Sequence, residues 1–287
     1  MTGLCLLFFL AVAGCSWLSS PEHGRIKKDR PVQASTGNYL ADVAWIAREI
    51  ETLSVSGRTR VVVQGKRLPW IRSGIFWKGN YGRNETAVRI SGRAVFGINV
   101  FDGLVLPDGM FLYVPSHDSV YYAGKGDVWR GYHIDDINTI VSLALVPWRC
   151  ALMPDASLVN NASPRFPCSK YGLDSSEIFH IRFSTGHGYG VASFRKDNLA
   201  LLRIVFDNLL SVSCSGQRIH GVGDHSYIPF PAETSIVFRK YHLRIDIRIH
   251  SCNINVLSDD ATMLEPAPFY SYTFQPLEVL LDSVVQD

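Results

Sequence analysis

The chain has 287 residues, 47% of them hydrophobic and 11% aromatic, and its 28 Lys+Arg against 26 Asp+Glu leave a net charge of +2. This length and apolar content exclude a disordered protein and suit one large domain or two small ones. A charge so near zero gives no overall field for nucleic acid or an acidic surface, so neither is expected as a partner.

Residues 1–14 read as a signal peptide. Their apolar run, residues 4–12, is too short for the roughly 20 residues of a membrane-spanning helix and fits the core of an export signal. Met1-Thr2-Gly3 supplies only the terminal amine where such signals carry Lys or Arg. The run ends in Leu10-Ala11-Val12-Ala13-Gly14-Cys15-Ser16, which resembles the lipobox of bacterial lipoproteins. That resemblance implies cleavage before Cys15, acylation of Cys15 by palmitate-type lipid and, because Ser16 rather than Asp follows, sorting to the outer membrane with the domain facing the periplasm. An uncleaved apolar tail, or a non-lipidated signal cut near Ala13, is the alternative. Residues 15–36, with Ser, Pro and the charges of Arg25, Lys27, Lys28, Asp29 and Arg30, read as the lipidated N-terminus and a flexible tether. Residues 37–287 are left as the folded domain.

Helical spacing of Leu40, Val43, Ala44, Ala47, Ile50 and Leu53 predicts an amphipathic helix over residues 38–53. Short strands follow, at residues 58–64, 71–78, 86–90, 94–101, 110–114 and 119–123, with turn chemistry at Pro107-Asp108-Gly109 and Pro115-Ser116-His117-Asp118. Close spacing makes them an antiparallel meander. Residues 135–146 form an apolar helix with Asp135 and Asp136 at its positive end, a helix-start device rather than an acid/base pair. A loop of residues 147–176 is long enough to act as a lid. Strands resume at residues 178–184, 190–195, 199–206, 209–213, 235–239 and 243–250, and a terminal strand and short helix close the chain. In residues 243–250, Leu243, Ile245, Ile247 and Ile249 share one face while Arg244, Asp246 and Arg248 share the other.

This order of elements resembles the LolA/LolB-type lipoprotein-localisation factors and LolB-like lipoproteins. The likeness is carried by Leu53-Ser54-Val55-Ser56-Gly57-Arg58-Thr59-Arg60-Val61, Val88-Arg89-Ile90, Asp108-Gly109-Met110-Phe111-Leu112-Tyr113-Val114-Pro115 and Val120-Tyr121-Tyr122-Ala123-Gly124. It covers residues 39–146, with residues 241–256 resembling the family's late strands. Where that family often has a Gly-Pro-x-Gly-like turn, this chain has Phe96-Gly97-Ile98-Asn99 and Phe101-Asp102-Gly103. The resemblance implies an α+β fold, mainly antiparallel β, in which a strongly curved sheet forms a half-open barrel with covering helices. It also implies an apolar concave pocket for an acyl lipid or lipoprotein acyl chains. Val61, Val63, Ile75, Trp77, Val88 and Ile90 are the candidate lining; a filled core at the same residues is the alternative.

Cys150, Cys168, Cys214 and Cys252 remain after Cys5 and Cys15. The pairings local in sequence are Cys150–Cys168 and Cys214–Cys252, with buried free thiols as the alternative. No Cys-x-x-Cys occurs, and His220, Asp224 and His225 in a Gly-rich loop have no defined ligand face, so no metal or other cofactor is expected. Gly186-His187-Gly188-Tyr189-Gly190 precedes a strand rather than a helix and reads as a hairpin turn. No Gly-x-Ser-x-Gly elbow is present. The sequence favours a non-enzymatic lipid or lipoprotein carrier for lipoprotein localisation or lipid transfer, held to a membrane. A structural lipoprotein docking an envelope protein is the alternative, and a periplasmic hydrolase would need Asp224 and His225 to cluster with another carboxylate.

Overall fold

Asn38 starts the first helix by side chain: its Oδ1 accepts from the Ala41 amide at 3.3 Å, the N-cap bond that a helix start otherwise lacks. In this computed structural model the described residues are 38–80, 85–94, 97–129, 132–159, 177–186, 188–206, 210–222, 226–239, 242–255, 269 and 271–280. The signal peptide, Cys15, the tether, Cys168, Asp224 and His225 lie outside them.

Helix α1 (Tyr39–Glu49) buries Val43, Ala44, Ile46 and Ala47. It ends four residues before the sequence pattern does, because a distant side chain closes it. Asn255 Oδ1 accepts from the amides of Glu51 (2.8 Å) and Thr52 (3.2 Å), and its Nδ2 donates to the Glu49 carbonyl. Leu53 still reaches the core, but from strand β1 (Thr52–Val63).

Beyond β1 run β2 (Lys66–Arg67), β3 (Ile71–Asn80), β4 (Glu85–Arg93), β5 (Asn99–Leu106), β6 (Gly109–Val114) and β7 (Ser119–Gly124). A small hairpin, β8 (Val128–Trp129) and β9 (Tyr132–His133), leads into α2 (Ile134–Leu145), whose first turn carries Asp135 and Asp136. The chain returns through β10 (Ser157–Val159), β11 (Ile178–Ser184), β12 (Tyr189–Arg195), β13 (Leu201–Phe206), β14 (Leu210–Ser215), β15 (Arg218–Val222), β16 (Ser226–Phe230), β17 (Glu233–Phe238), β18 (Leu243–Ile254) and β19 (Thr273–Pro276). A helical turn at residues 277–280 follows β19.

Among the described residues one curved, unclosed sheet takes all of these strands except the β8–β9 and β15–β16 hairpins. Its order is β10-β11-β12-β13-β14-β17-β18-β1-β3-β4-β5-β6-β7-β19, antiparallel throughout except at β19–β7, with β2 flanking β1. The two halves of the chain therefore meet at β18–β1. A register shift there pairs Ser56 with Ser251 but Gly57 with Ile249, leaving His250 bulged. The bulge corrects a phase change in β18: Leu243, Ile245, Ile247 and Ile249 are odd-numbered, Cys252 and Ile254 even, and it keeps all six on the side of Leu53, Val55 and Val61. Glycine is required opposite the bulge, where a Cβ at Gly57 would stand 2.2 Å from the Arg248 carbonyl oxygen.

The main core lies between the sheet and the helices. It joins Val43, Ile46 and Ile50 to Trp77 and Val88 on one half of the sheet and to Ile181, Phe183 and Phe194 on the other. The expected lid begins as part of this core: the 3-10 turn Pro147–Leu152 buries Trp148, whose Nε1 donates to the Leu199 carbonyl at 2.9 Å. A second apolar group joins Ile71, Phe101, Val114 and Tyr121, and a third, Leu104, Phe111, Val120 and Phe269, lies across β5–β7.

Three local expectations are corrected. The strand placed at residues 94–101 begins at Asn99 and runs to Leu106, after Gly97 turns at φ +75° and leaves Ile98 exposed. The segment around His220, read as a Gly-rich loop, contributes to the β15–β16 hairpin. Cys150, Cys214 and Cys252 are free thiols. Cys214 pairs with Thr234 and Thr234 with Ile247, so two strand spacings of about 4.8 Å separate Cys214 from β18, beyond the reach of a disulfide.

Candidate functional site

Cross-strand pairing assembles the candidate lining on the helix-covered face. Val55 pairs with Ile75, Leu53 with Trp77, Trp77 with Val88 and Ile75 with Ile90, so these side chains stack across β1, β3 and β4. Trp77 and Val88 are fully buried and Ile75 is nearly so; Ile90 is half-buried and touches two of the apolar clusters. Val61, also buried, and Val63, half-buried, stand farther along β1 opposite Ile245 and Leu243. Ile75, Trp77, Val88 and Ile90 thus form one surface, whereas Val61 and Val63 share its face but are set apart from it by Gly57 and the hydrogen-bonded Thr59–Ser73 pair.

In the described state that surface is covered by this chain's own side chains. Trp77 Nε1 donates to Ser142 Oγ of α2 at 3.0 Å, which satisfies a buried indole and ties β3 to the helix. Arg149, itself buried, places its guanidinium carbon 5.4 Å from the Trp77 ring centroid, so the apolar surface has one cation at its border. Burial raises the thiols of Cys150 and Cys214, the latter to about 12, and both behave as small apolar side chains.

The opposite face of the sheet holds a pocket of about 340 Å³ that sequence reasoning missed. Arg60 of β1, Arg244, Asp246 and Arg248 of β18, Glu233 and Ser235 of β17, and Trp70 line it, with the polar side chains of β14 at its edge. Asp246 accepts from Arg60 Nη2 at 2.9 Å and from Ser235 Oγ at 3.0 Å. Arg244 Nε lies 3.1 Å from Asp246 Oδ1, close enough for an ion pair but not aligned for a hydrogen bond. Arg248 Nε pairs with Glu233 at 3.1 Å, and the guanidinium carbons of Arg60 and Arg248 lie 4.5 and 4.7 Å from the Trp70 ring centroid. Arg60 Nε and Arg244 Nε are buried with no hydrogen-bond partner among the described residues. The alternation of charge in residues 243–250 was the visible signal; that it meets Arg60 depends on pairing across 186 residues.

Other singled-out residues do not converge. His220 lies against Phe230, and its imidazole is lowered mainly by burial. His180 Nδ1 and Ser193 Oγ are 2.9 Å apart, but both are sealed from solvent, and burial lowers the imidazole. Among the described residues no group of three or more His, Cys, Asp or Glu could hold a metal ion, and no helix is long and apolar enough to cross a membrane.

No protein-family model matches the chain, and no curated protein sequence matches it significantly. Among the solved structures similar to it, those that superpose with a TM-score above 0.5 share its fold. A DUF1329 family protein from Desulfovibrio piger superposes with a TM-score of 0.55 at 15% identity, over 83% of this chain and 100% of that one. A putative outer membrane lipoprotein-sorting protein domain from Vibrio parahaemolyticus gives 0.51 at 9% identity, over 77% of this chain and 94% of that one. A LolA superfamily protein from Nitrosomonas europaea gives 0.47 at 13%, over 77% and 95%.

Proposed function

We propose that the chain is an envelope lipoprotein, anchored in the outer membrane through Cys15, that shelters acyl chains of a lipid or lipoprotein beneath its two helices. The observation that carries this reading is the apolar surface where Leu53, Val55, Ile75, Trp77, Val88 and Ile90 stack across β1, β3 and β4, with Trp77 at its centre. A fold shared with a lipoprotein-sorting domain supports it. Because the surface is filled, cargo enters by replacing a helix. Burial of an acyl chain contributes about 0.8 kcal/mol per methylene toward displacing Val43, Ala44, Ile46 and Ala47 of α1. The reading assigns no reaction and no cofactor.

The experiment is mass spectrometry of the protein purified without detergent. Co-purifying acyl lipid supports the carrier; lipid-free protein that also fails to bind a fluorescent fatty acid overturns it. The anchor is tested separately, since Cys15→Ala releases the protein into the soluble envelope fraction on this reading and leaves it membrane-bound if the anchor is wrong.

A second reading, a lipoprotein that docks an envelope protein, is favoured by the filled core and by the partly exposed rings of Tyr122 and Phe274, which flank Phe111 at 4.9 and 6.3 Å.

A further inference from the structure

The face of the sheet turned away from the helices carries a row of like charges. Register places Arg93 opposite Arg72, Arg72 opposite Arg58, and Arg58 opposite Arg248, on four adjacent strands. All four side chains are exposed. Like charges directly opposite one another weaken a sheet, so a row of them is a cost to stability. His250, bulged beside the row, feels its field: burial first, then Arg58, Arg218, Arg248 and Arg72, hold its imidazole below the ordinary range.

At its β18 end the row runs into the 340 Å³ pocket, through Arg248. Two carboxylates belong to that pocket: Glu233 pairs with Arg248, while Asp246 is shared among Arg60, Arg244 and Ser235. Arg60 Nε and Arg244 Nε are left as buried donors without a hydrogen-bond acceptor, beside the hydroxyl-bearing strand of Ser213 and Ser215. Buried donors of this kind call for an acceptor, and guanidinium forks match phosphate oxygens in geometry as well as charge. With strands about 4.8 Å apart, the four guanidinium groups span about 14 Å, which suits an array of phosphates better than one small anion.

We propose that this face seats the phosphates of anionic lipid headgroups, the arginine row lying along the headgroup plane and the pocket taking one phosphate. Acyl shelter uses the opposite face of the sheet, so either reading can fail without the other.

The test uses the full chain carrying Cys15→Ala, sedimented with vesicles of phosphatidylcholine alone or mixed with phosphatidylglycerol. Binding to the anionic vesicles exceeds binding to the neutral ones and falls steeply with salt. Arg58→Gln with Arg93→Gln weakens binding to the anionic vesicles about 30-fold, about fivefold for each guanidinium removed, and leaves the neutral ones unaffected. The thermal midpoint of the double variant is no lower than that of the parent, which separates lost binding from lost folding. Equal binding to both vesicles, or no effect of the double substitution, overturns the proposal. Two further outcomes also overturn it: complete competition by inorganic phosphate at constant ionic strength, which makes the ligand a free anion, and binding to single-stranded DNA as tight as to the anionic vesicles.

Discussion

Gly57→Ala tests whether the β18–β1 joint holds the two halves of the sheet together. The new methyl carbon would lie 2.2 Å from the Arg248 carbonyl oxygen, 3.1 Å from its carbonyl carbon and 3.3 Å from Ile249 Cα. All three are backbone atoms, so no side-chain rotation relieves the clash, and β1 must part locally from β18 by about 1 Å to restore ordinary contact. Parting the strands breaks about two ladder hydrogen bonds at about 1 kcal/mol each. The displaced backbone adds about 1–3 kcal/mol. The sum, about 3–5 kcal/mol, is a large part of the 5–15 kcal/mol that holds a typical protein folded. For a chain of this size that lowers the thermal midpoint by about 6–20 °C. Thermal and urea unfolding followed by far-ultraviolet circular dichroism measure it. Gly103→Ala is the control, because its Cβ would meet the flexible end of Leu112 at 3.3 Å, and it should cost less than about 1 kcal/mol. A Gly57→Ala protein within about 0.5 kcal/mol of the parent, or a Gly103→Ala protein that is the worse of the two, refutes the reasoning.

Asn255→Ala removes the three bonds that close α1, and costs about 2–3 kcal/mol by urea unfolding; Asn255→Asp, which keeps both acceptor bonds, costs less. Cys150 and Cys214 stay unreactive to a thiol reagent at neutral pH until the protein unfolds. Because burial raises the folded Cys214 to about 12, its contribution to stability is full below the ordinary thiol range and is lost as pH rises from there toward the folded value, which alkaline unfolding curves register. His180 acts with the opposite sign: burial lowers its folded pKa, so its contribution is full above the ordinary imidazole value near 6.5 and is lost as pH falls toward the lower folded value. His180→Gln flattens that acid limb, whereas an unchanged limb in urea unfolding assigns the dependence elsewhere.

Local chemistry carried much of the fold. The alternation of Leu243, Ile245, Ile247 and Ile249 and the spacing of Val43, Ala44 and Ala47 depend on neighbours in sequence, and the strand and helix they imply are present. What was not legible depends on distant pairing. The end of α1 is set by Asn255, the phase of β18 by the bulge at His250, and the polar pocket by β1 meeting β18. The β15–β16 hairpin was lost for a local reason: Gly221, Gly223 and Pro229 have little strand propensity, while Ile228 and Phe230 are fixed by burial in the core. For the candidate lining, strand pairing places Val61, Val63, Val88 and Ile90 on the same face of the sheet; that α1, α2 and the Pro147–Leu152 turn cover its centre is a property of packing.

The central claim is that acyl chains lie against the surface around Trp77, and the most direct measurement is quenching of tryptophan fluorescence by a fatty acid brominated along its chain. The chain has six tryptophans, so the parent and Trp77→Phe proteins are compared at saturating ligand. The account predicts quenching in the parent, none with the unbrominated acid, and loss of most of that quenching in Trp77→Phe. A parent protein that is not quenched, or quenching unchanged by Trp77→Phe, contradicts it.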